Sequence, residues 1–229
     1  MNALFGLVAA ALTLFTAPAF AVGLADLSNK DAVAGMKEAL TKGSQGAVAM
    51  LAKQDGFLGN ERVKIPLPES LHKIEGLMRG LGMGKYADEL VTTMNRAAET
   101  AVVEAKPLLV NAVKNMSVQD AKGILTGGED AATQYFKRST LAALSDKFLP
   151  IVKKATQRVK LADKYNEFAG KGAKFGLINR KDADLNNYVT QKALDGLFLM
   201  IAEEEKKIRK DPVGSASSII SKVFGAVGK

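Results

Sequence analysis

Any chemistry in this chain must come from oxygen and nitrogen groups, because the sequence holds one histidine, His72, and no cysteine. The missing thiols remove disulfide staples, thiolate–zinc sites and cysteine nucleophiles together. His72 has no second imidazole with which to share a metal or a proton. It falls beside the apolar stripe of its segment and reads as a surface or capping residue. Asp182, Asp184 and Asn186 occupy the first three ligand positions of a calcium loop, but Asn187 stands where glycine belongs and Ala193 where the bidentate acid belongs. An N-cap at Asp182 or Asp184 explains them better. The glycines of Gly80-Leu81-Gly82-Met83-Gly84 follow no strand, so they are no dinucleotide fingerprint. The Gly170-Lys171-Gly172 loop lacks the spacing and ending of a P-loop. Carboxylates remain, and Glu99 with Glu204 is the pair a hydrolase would use. No catalytic residue, cofactor or metal ligand is assigned from these patterns.

The elements that would position such groups read as helices throughout. From Lys85 to Met116, residues Ala87, Leu90, Val91, Met94, Ala98, Ala101, Val102, Ala105, Leu108, Leu109, Ala112, Val113 and Met116 fall on one face at helical spacing, which predicts an amphipathic helix with a wide buried stripe. Uninterrupted, it would span ~45–50 Å at roughly 1.5 Å per residue. Its alanine-rich middle allows a partner helix to approach closely. Pro107 predicts a kink, or a restart near Lys106. The fold expected is therefore all-α, an irregular multi-helix bundle around a long central helix kinked near Pro107.

The other segments carry local signals of the same kind. Ser28 with Asp31, and Ser117 with Asp120, read as capping boxes with a short acid. Residues 55–68 read as a connector that tucks Val63 and Ile65 against the bundle. The stripe of 68–81 places Leu71, Ile74, Met78 and Leu81 inward. That of 139–168 places Leu141, Leu144, Phe148, Val152, Ala155, Val159 and Ala162 inward, with a kink at Pro150. In the helix ending near Lys210, Glu204 falls between Ile201 and Ile208 on the apolar face, so it should meet an arginine. A last helix from Ser215 is expected to dock on its own bundle more readily than on a membrane surface.

Residues 1–21 read as a signal peptide: the run from Ala3 to Phe20 is uncharged, and Ala19-Phe20-Ala21 offers small residues for cleavage before Val22. An uncleaved anchor is the competing reading. Residues 22–229 then form one helical domain, with no spanning segment left after cleavage and a periplasmic destination. All of the formal +8 charge lies in that domain. The excess concentrates in Lys153, Lys154, Arg158, Lys160, Lys164, Lys171 and Lys174. Such a run is either a solvated helix face or a contact for an anionic lipid or envelope amphiphile; nucleic acid does not suit an exported protein.

Several segments together resemble the DUF4197 family, a proteobacterial secreted family of unknown function. They are Ile65-Pro66-Leu67-Pro68, Asn95-Arg96-Ala97-Ala98-Glu99, Ala131-Ala132-Thr133-Gln134-Tyr135-Phe136 and Asp195-Gly196-Leu197-Phe198, followed by Glu203-Glu204-Glu205, Ile208-Arg209 and Asp211-Pro212. The resemblance implies a secreted helical protein of Gram-negative bacteria and brings no activity, cofactor or catalytic residue. It draws attention to Asn95, Arg96, Glu99, Arg138, Glu204 and Arg209 near the helical seams. These form either a network that fixes helix register or a polar ligand site between helices. Three function classes follow: a binding module for an amphiphilic or anionic envelope component, a structural or chaperone-like interaction protein, and, last, a carboxylate-based hydrolase.

Overall fold

The computed structural model describes residues 28–82, 84–163, 165–166, 184–212, 214 and 217–226, apart from the side chains of 73, 74, 77 and 78. The expected signal peptide, the basic residues Lys164, Lys171 and Lys174, the loop at 170–176, Asp182, and the side chains of Ile74 and Met78 therefore lie outside the described set.

Helix α1 (Asn29–Ala52) is capped by Ser28, whose hydroxyl accepts the Asp31 N–H at 3.0 Å. A connector leads from it to α2 (Glu69–Gly80). The central element is α3 (Gly84–Ala101), a single 3₁₀ turn at Val102–Glu104, and α4 (Ala105–Lys114). The interruption thus begins a turn ahead of Pro107, which sits in the first turn of α4, where a missing N–H costs no helical hydrogen bond. Next come α5 (Val118–Thr126), α6 (Ala131–Thr156), a helical turn at 160–163, α7 (Leu185–Lys210) and α8 (Ser218–Gly225). Among the described residues there is no strand, and no helix is long and apolar enough to cross a membrane.

The stripe of α3 and α4 is buried as its spacing demands: Ala87, Leu90, Met94, Ala98, Ala101, Val102 and Ala105 are all fully enclosed. Tyr135, near the start of α6, donates its hydroxyl to the Ala112 carbonyl of α4 at 2.7 Å. Residues 151–159 at the other end of α6 face α3. So α6 runs antiparallel to the central element, and α7 packs on α6 and α1. One apolar cluster includes residues from all eight helices and from the connector, through Phe57, Val63 and Ile65.

Two expectations about individual side chains are corrected. Leu81 is 67% exposed, because α2 ends at Gly80 and the chain turns at Gly82 with φ +74°. Leu141 is 40% exposed: the buried row of α6 runs Thr133, Phe136, Thr140, Leu144, Phe148, Val152 and Thr156, and Leu141 is about 100° round from Thr140. Helix α6 begins at Ala131 and continues through Pro150 to Thr156. Packing against α3 and α7 holds it across the missing hydrogen bond.

Candidate functional site

Asn95, Arg96 and Glu99 stand together on α3 and hold the connector. The Asn95 amide copies a strand neighbour: its Oδ1 accepts the Ile65 N–H at 2.8 Å, and its Nδ2 donates to the Ile65 carbonyl at 2.9 Å. Nδ2 also donates to the Val91 carbonyl at 2.8 Å. Glu99 is 5% exposed; its Oε1 accepts the N–H groups of Phe57 and Leu58 at 3.1 and 3.2 Å. Its Oε2 accepts from Arg96 Nη1 at 2.7 Å, while Nη2 of the same guanidinium donates to Asp55 at 2.8 Å. Asp55 lies in the left-handed region at φ 64° and turns the chain into the segment that Glu99 grips. The bond to Glu99, then the bond to Asp55, holds the Arg96 guanidinium above its ordinary pKa.

The second buried carboxylate is Glu205, not Glu204. It comes from α7 to cap α6, whose own N-cap residue Asp130 makes no capping bond. Glu205 Oε1 accepts the Ala132 N–H at 2.9 Å, and Oε2 accepts the Thr133 N–H at 2.9 Å and the Thr133 hydroxyl at 3.0 Å. Negative charge at a helix start satisfies free N–H groups and the macrodipole together. Arg209 then neutralises the carboxylate from one turn along α7, at 2.8 Å, and donates to the Ile124 carbonyl at 2.8 Å. Its guanidinium also lies 5.6 Å from the Phe224 ring centroid. The arginine expected near Glu204 therefore belongs to its neighbour. Glu204 is half-buried against Gly43 and Gly46 of α1 and accepts from Lys207 at 2.6 Å. Arg138 is exposed and takes no part in either network, though its charge lowers the Asp120 pKa.

These networks leave little for chemistry. Glu99 and Glu205 each accept three or more hydrogen bonds from groups of the protein itself. Glu99 and Glu204 face different partners. His72 is exposed and bonds Glu75 at 3.1 Å. Asp184 caps α7 by accepting the Asn186 N–H at 2.8 Å. Beside Glu205, among α1, α6, α7 and α8, the space left is about 20 Å³, room for one water.

A wider opening lies outside, along α3 and the end of α6. A groove of about 470 Å³ is lined by Glu89, Thr92, Thr93, Arg96, Ala97 and Thr100 on one side, and by Ile151, Lys154, Ala155, Arg158 and Val159 on the other. Alanines at the crossing leave the furrow between the two walls. Lys153, Lys154, Arg158 and Lys160 are exposed here, and among the described residues none has an acidic partner within ion-pair distance. Helix periodicity had placed this charge on the outer face of the segment, and the structure adds the groove that runs beside it.

The comparison with protein families matches a model described as a protein of unknown function, DUF4197, over residues 26–225. The chain belongs to the DUF4197 family. No curated protein and no solved structure matches it. The segments that carried the resemblance turn out to hold one another. Ile65 is pinned by Asn95, and the start of Ala131-Ala132-Thr133 by Glu205 and through it Arg209. Gly196 of Asp195-Gly196-Leu197-Phe198 receives the connector's Phe57: a Cβ there would lie 2.8 Å from Phe57 Cε1. In this DUF4197 chain these segments are the places where distant parts of the sequence lock together.

Proposed function

We propose that the protein is a non-catalytic binding module of the periplasm, which holds an anionic or amphiphilic envelope ligand on the outer face of its bundle. The observation that carries this reading is the row Lys153, Lys154, Arg158 and Lys160 beside the α3/α6 groove, exposed and without acidic partners among the described residues. Unneutralised cations around a concavity raise the local concentration of anions. The small space beside Glu205 argues that the ligand sits on the bundle and not between the helices that meet there. Export follows from the reading of residues 1–21 as a signal peptide.

Flotation with vesicles of anionic and of neutral lipid tests this. Recovery with anionic vesicles should fall as salt rises from about 0.05 to 0.5 M, since the screening length shrinks to a few ångströms. The fourfold variant K153Q/K154Q/R158Q/K160Q should stay in the unbound fraction. Equal recovery with both lipids at every salt concentration would remove the basic face from the function. A structural interaction protein is the second reading, favoured by the buried carboxylates being wholly engaged in holding the fold together. An unchanged flotation profile in the fourfold variant supports it.

A further inference from the structure

The groove between α3 and α6 is more selective than a basic patch needs to be. On the wall facing α3, Lys154 comes from the last turn of α6 and Arg158 from the turn that follows that helix, both exposed, so an ammonium and a guanidinium are open to one oxyanion. Arg96 is already shared between Glu99 and Asp55 at 2.7 and 2.8 Å, so the donors open to a ligand are those of Lys154 and Arg158. The α3 wall contributes Thr92 and Thr93, which have no hydrogen-bond partner among the described residues, and the carboxylate of Glu89. Thr100 differs, since its hydroxyl donates to the Arg96 carbonyl at 2.9 Å.

A bare polyanion would meet Glu89 with repulsion. A phosphate ester with free hydroxyls would set its phosphate on the cations and donate its hydroxyls to Glu89 and the threonines. A simple carboxylate would fill one arginine fork and leave the lysine unused. Ile151, partly exposed, offers apolar surface to the carbon skeleton of such an ester.

We infer that this groove is a binding site for a phosphate ester of a polyol, a glycerophosphate-type group. The inference rests on the reading of the basic face as the ligand-facing surface. The same chemistry is presented by a free polyol phosphate and by a phosphatidylglycerol headgroup, and the two sources are separated by the probe. Calorimetry on the full chain at low salt uses sn-glycerol 3-phosphate and inorganic phosphate. Flotation uses vesicles with and without phosphatidylglycerol in phosphatidylcholine. Glycerol 3-phosphate should bind about tenfold more tightly than inorganic phosphate, and K154Q/R158Q should weaken it about tenfold or more. E89Q should narrow the preference between the two phosphates. These side chains are exposed, so melting curves of the variants should overlay the parent.

Calorimetric binding without vesicle recovery identifies the free ester as the source; recovery that depends on Lys154 and Arg158 identifies the headgroup. Equal affinity for the two phosphates, or unchanged binding by K154Q/R158Q, overturns the inference. If anionic vesicles are still recovered by K154Q/R158Q and lost by K153Q/K160Q, the basic face stands and the groove falls. If glycerol 3-phosphate binds in the groove while vesicle recovery ignores salt, the groove stands and the membrane-facing role of the face falls.

Discussion

Thr133 gives Glu205 both its backbone N–H and its hydroxyl, at 2.9 and 3.0 Å, across 72 residues of sequence. With the Ala132 N–H and the Arg209 guanidinium, this makes the Glu205 carboxylate the joint between the start of α6 and the end of α7. Replacing Glu205 by glutamine leaves Arg209 without its buried counter-charge and turns an amide N–H₂ toward at least one backbone N–H, which can only donate. The E205Q variant should lose on the order of 3 kcal/mol in urea unfolding. T133V removes one hydroxyl bond and should cost about 1 kcal/mol. The double variant should cost less than the sum, because both changes act on one carboxylate.

Asn95 and Glu99 hold the connector through its backbone, so their removal should be read at those amides. N95A leaves the buried Ile65 N–H and carbonyl without partners, a loss of about 2–6 kcal/mol at roughly 1–3 kcal/mol for each unsatisfied group. Hydrogen exchange should show the Ile65 amide losing protection in N95A, and the Phe57 and Leu58 amides losing it in E99Q. Protection of these amides unchanged from the parent would mean that the connector is held by the packing of Phe57, Val63 and Ile65 alone.

Local signals carried much of this architecture, and long-range ones did not. The Ser117–Asp120 box is legible because both partners lie within one turn, and the structure forms it in both directions, at 3.1 Å each way. Asn95, Arg96 and Glu99 came to notice through the family resemblance, and helical spacing, at i, i+1 and i+4, accounts for their lying near one face. The choice between Glu204 and Glu205 is not legible. Both flank the Ile201–Ile208 stripe, and what selects Glu205 is the bare start of α6, more than 70 residues away in the chain. Leu81 and Leu141 misled for a related reason. A leucine at roughly the right interval is assigned to the core, although the helix ends before the first and turns past the second. The groove was invisible because it needs the register of two antiparallel helices, while its cations were plain.

Two glycines should respond to alanine in opposite directions. Gly35 of α1 receives α8: a Cβ there would lie 2.5 Å from Val223 Cγ2 and 3.1 Å from the Ile219 carbonyl oxygen. G35A should cost about 1–3 kcal/mol, the range for overpacking, and V223A should recover part of it by withdrawing the clashing methyl. Gly123, inside α5, has nothing within 4 Å of its Cβ position. G123A should raise stability by about 0.5–1 kcal/mol through helix propensity and a less flexible unfolded chain. Thermal melts of the three variants check both signs.

The capping box also sets a pH dependence whose sign can be worked out. The Asp120 carboxylate is held below its ordinary pKa, first by the Ser117 hydroxyl, at 2.6 Å, and then by the Ser117 N–H; burial opposes this weakly. A carboxyl with a depressed folded pKa binds protons more weakly in the native state than in the unfolded chain. Its contribution is therefore complete above the unfolded pKa of about 4 and disappears as pH falls through the lower, folded value. D120N, which keeps the shape and loses the charge, should be less stable than the parent by about 1 kcal/mol at pH 7, the usual worth of a helix cap. That gap should hold down to about pH 5 and narrow as pH falls below the unfolded value of about 4. Urea midpoints of the two proteins at pH 7, 5 and 3 measure it. A gap that is the same at pH 7 and pH 3 would show that the box acts through hydrogen-bond geometry and owes nothing to the charge on Asp120.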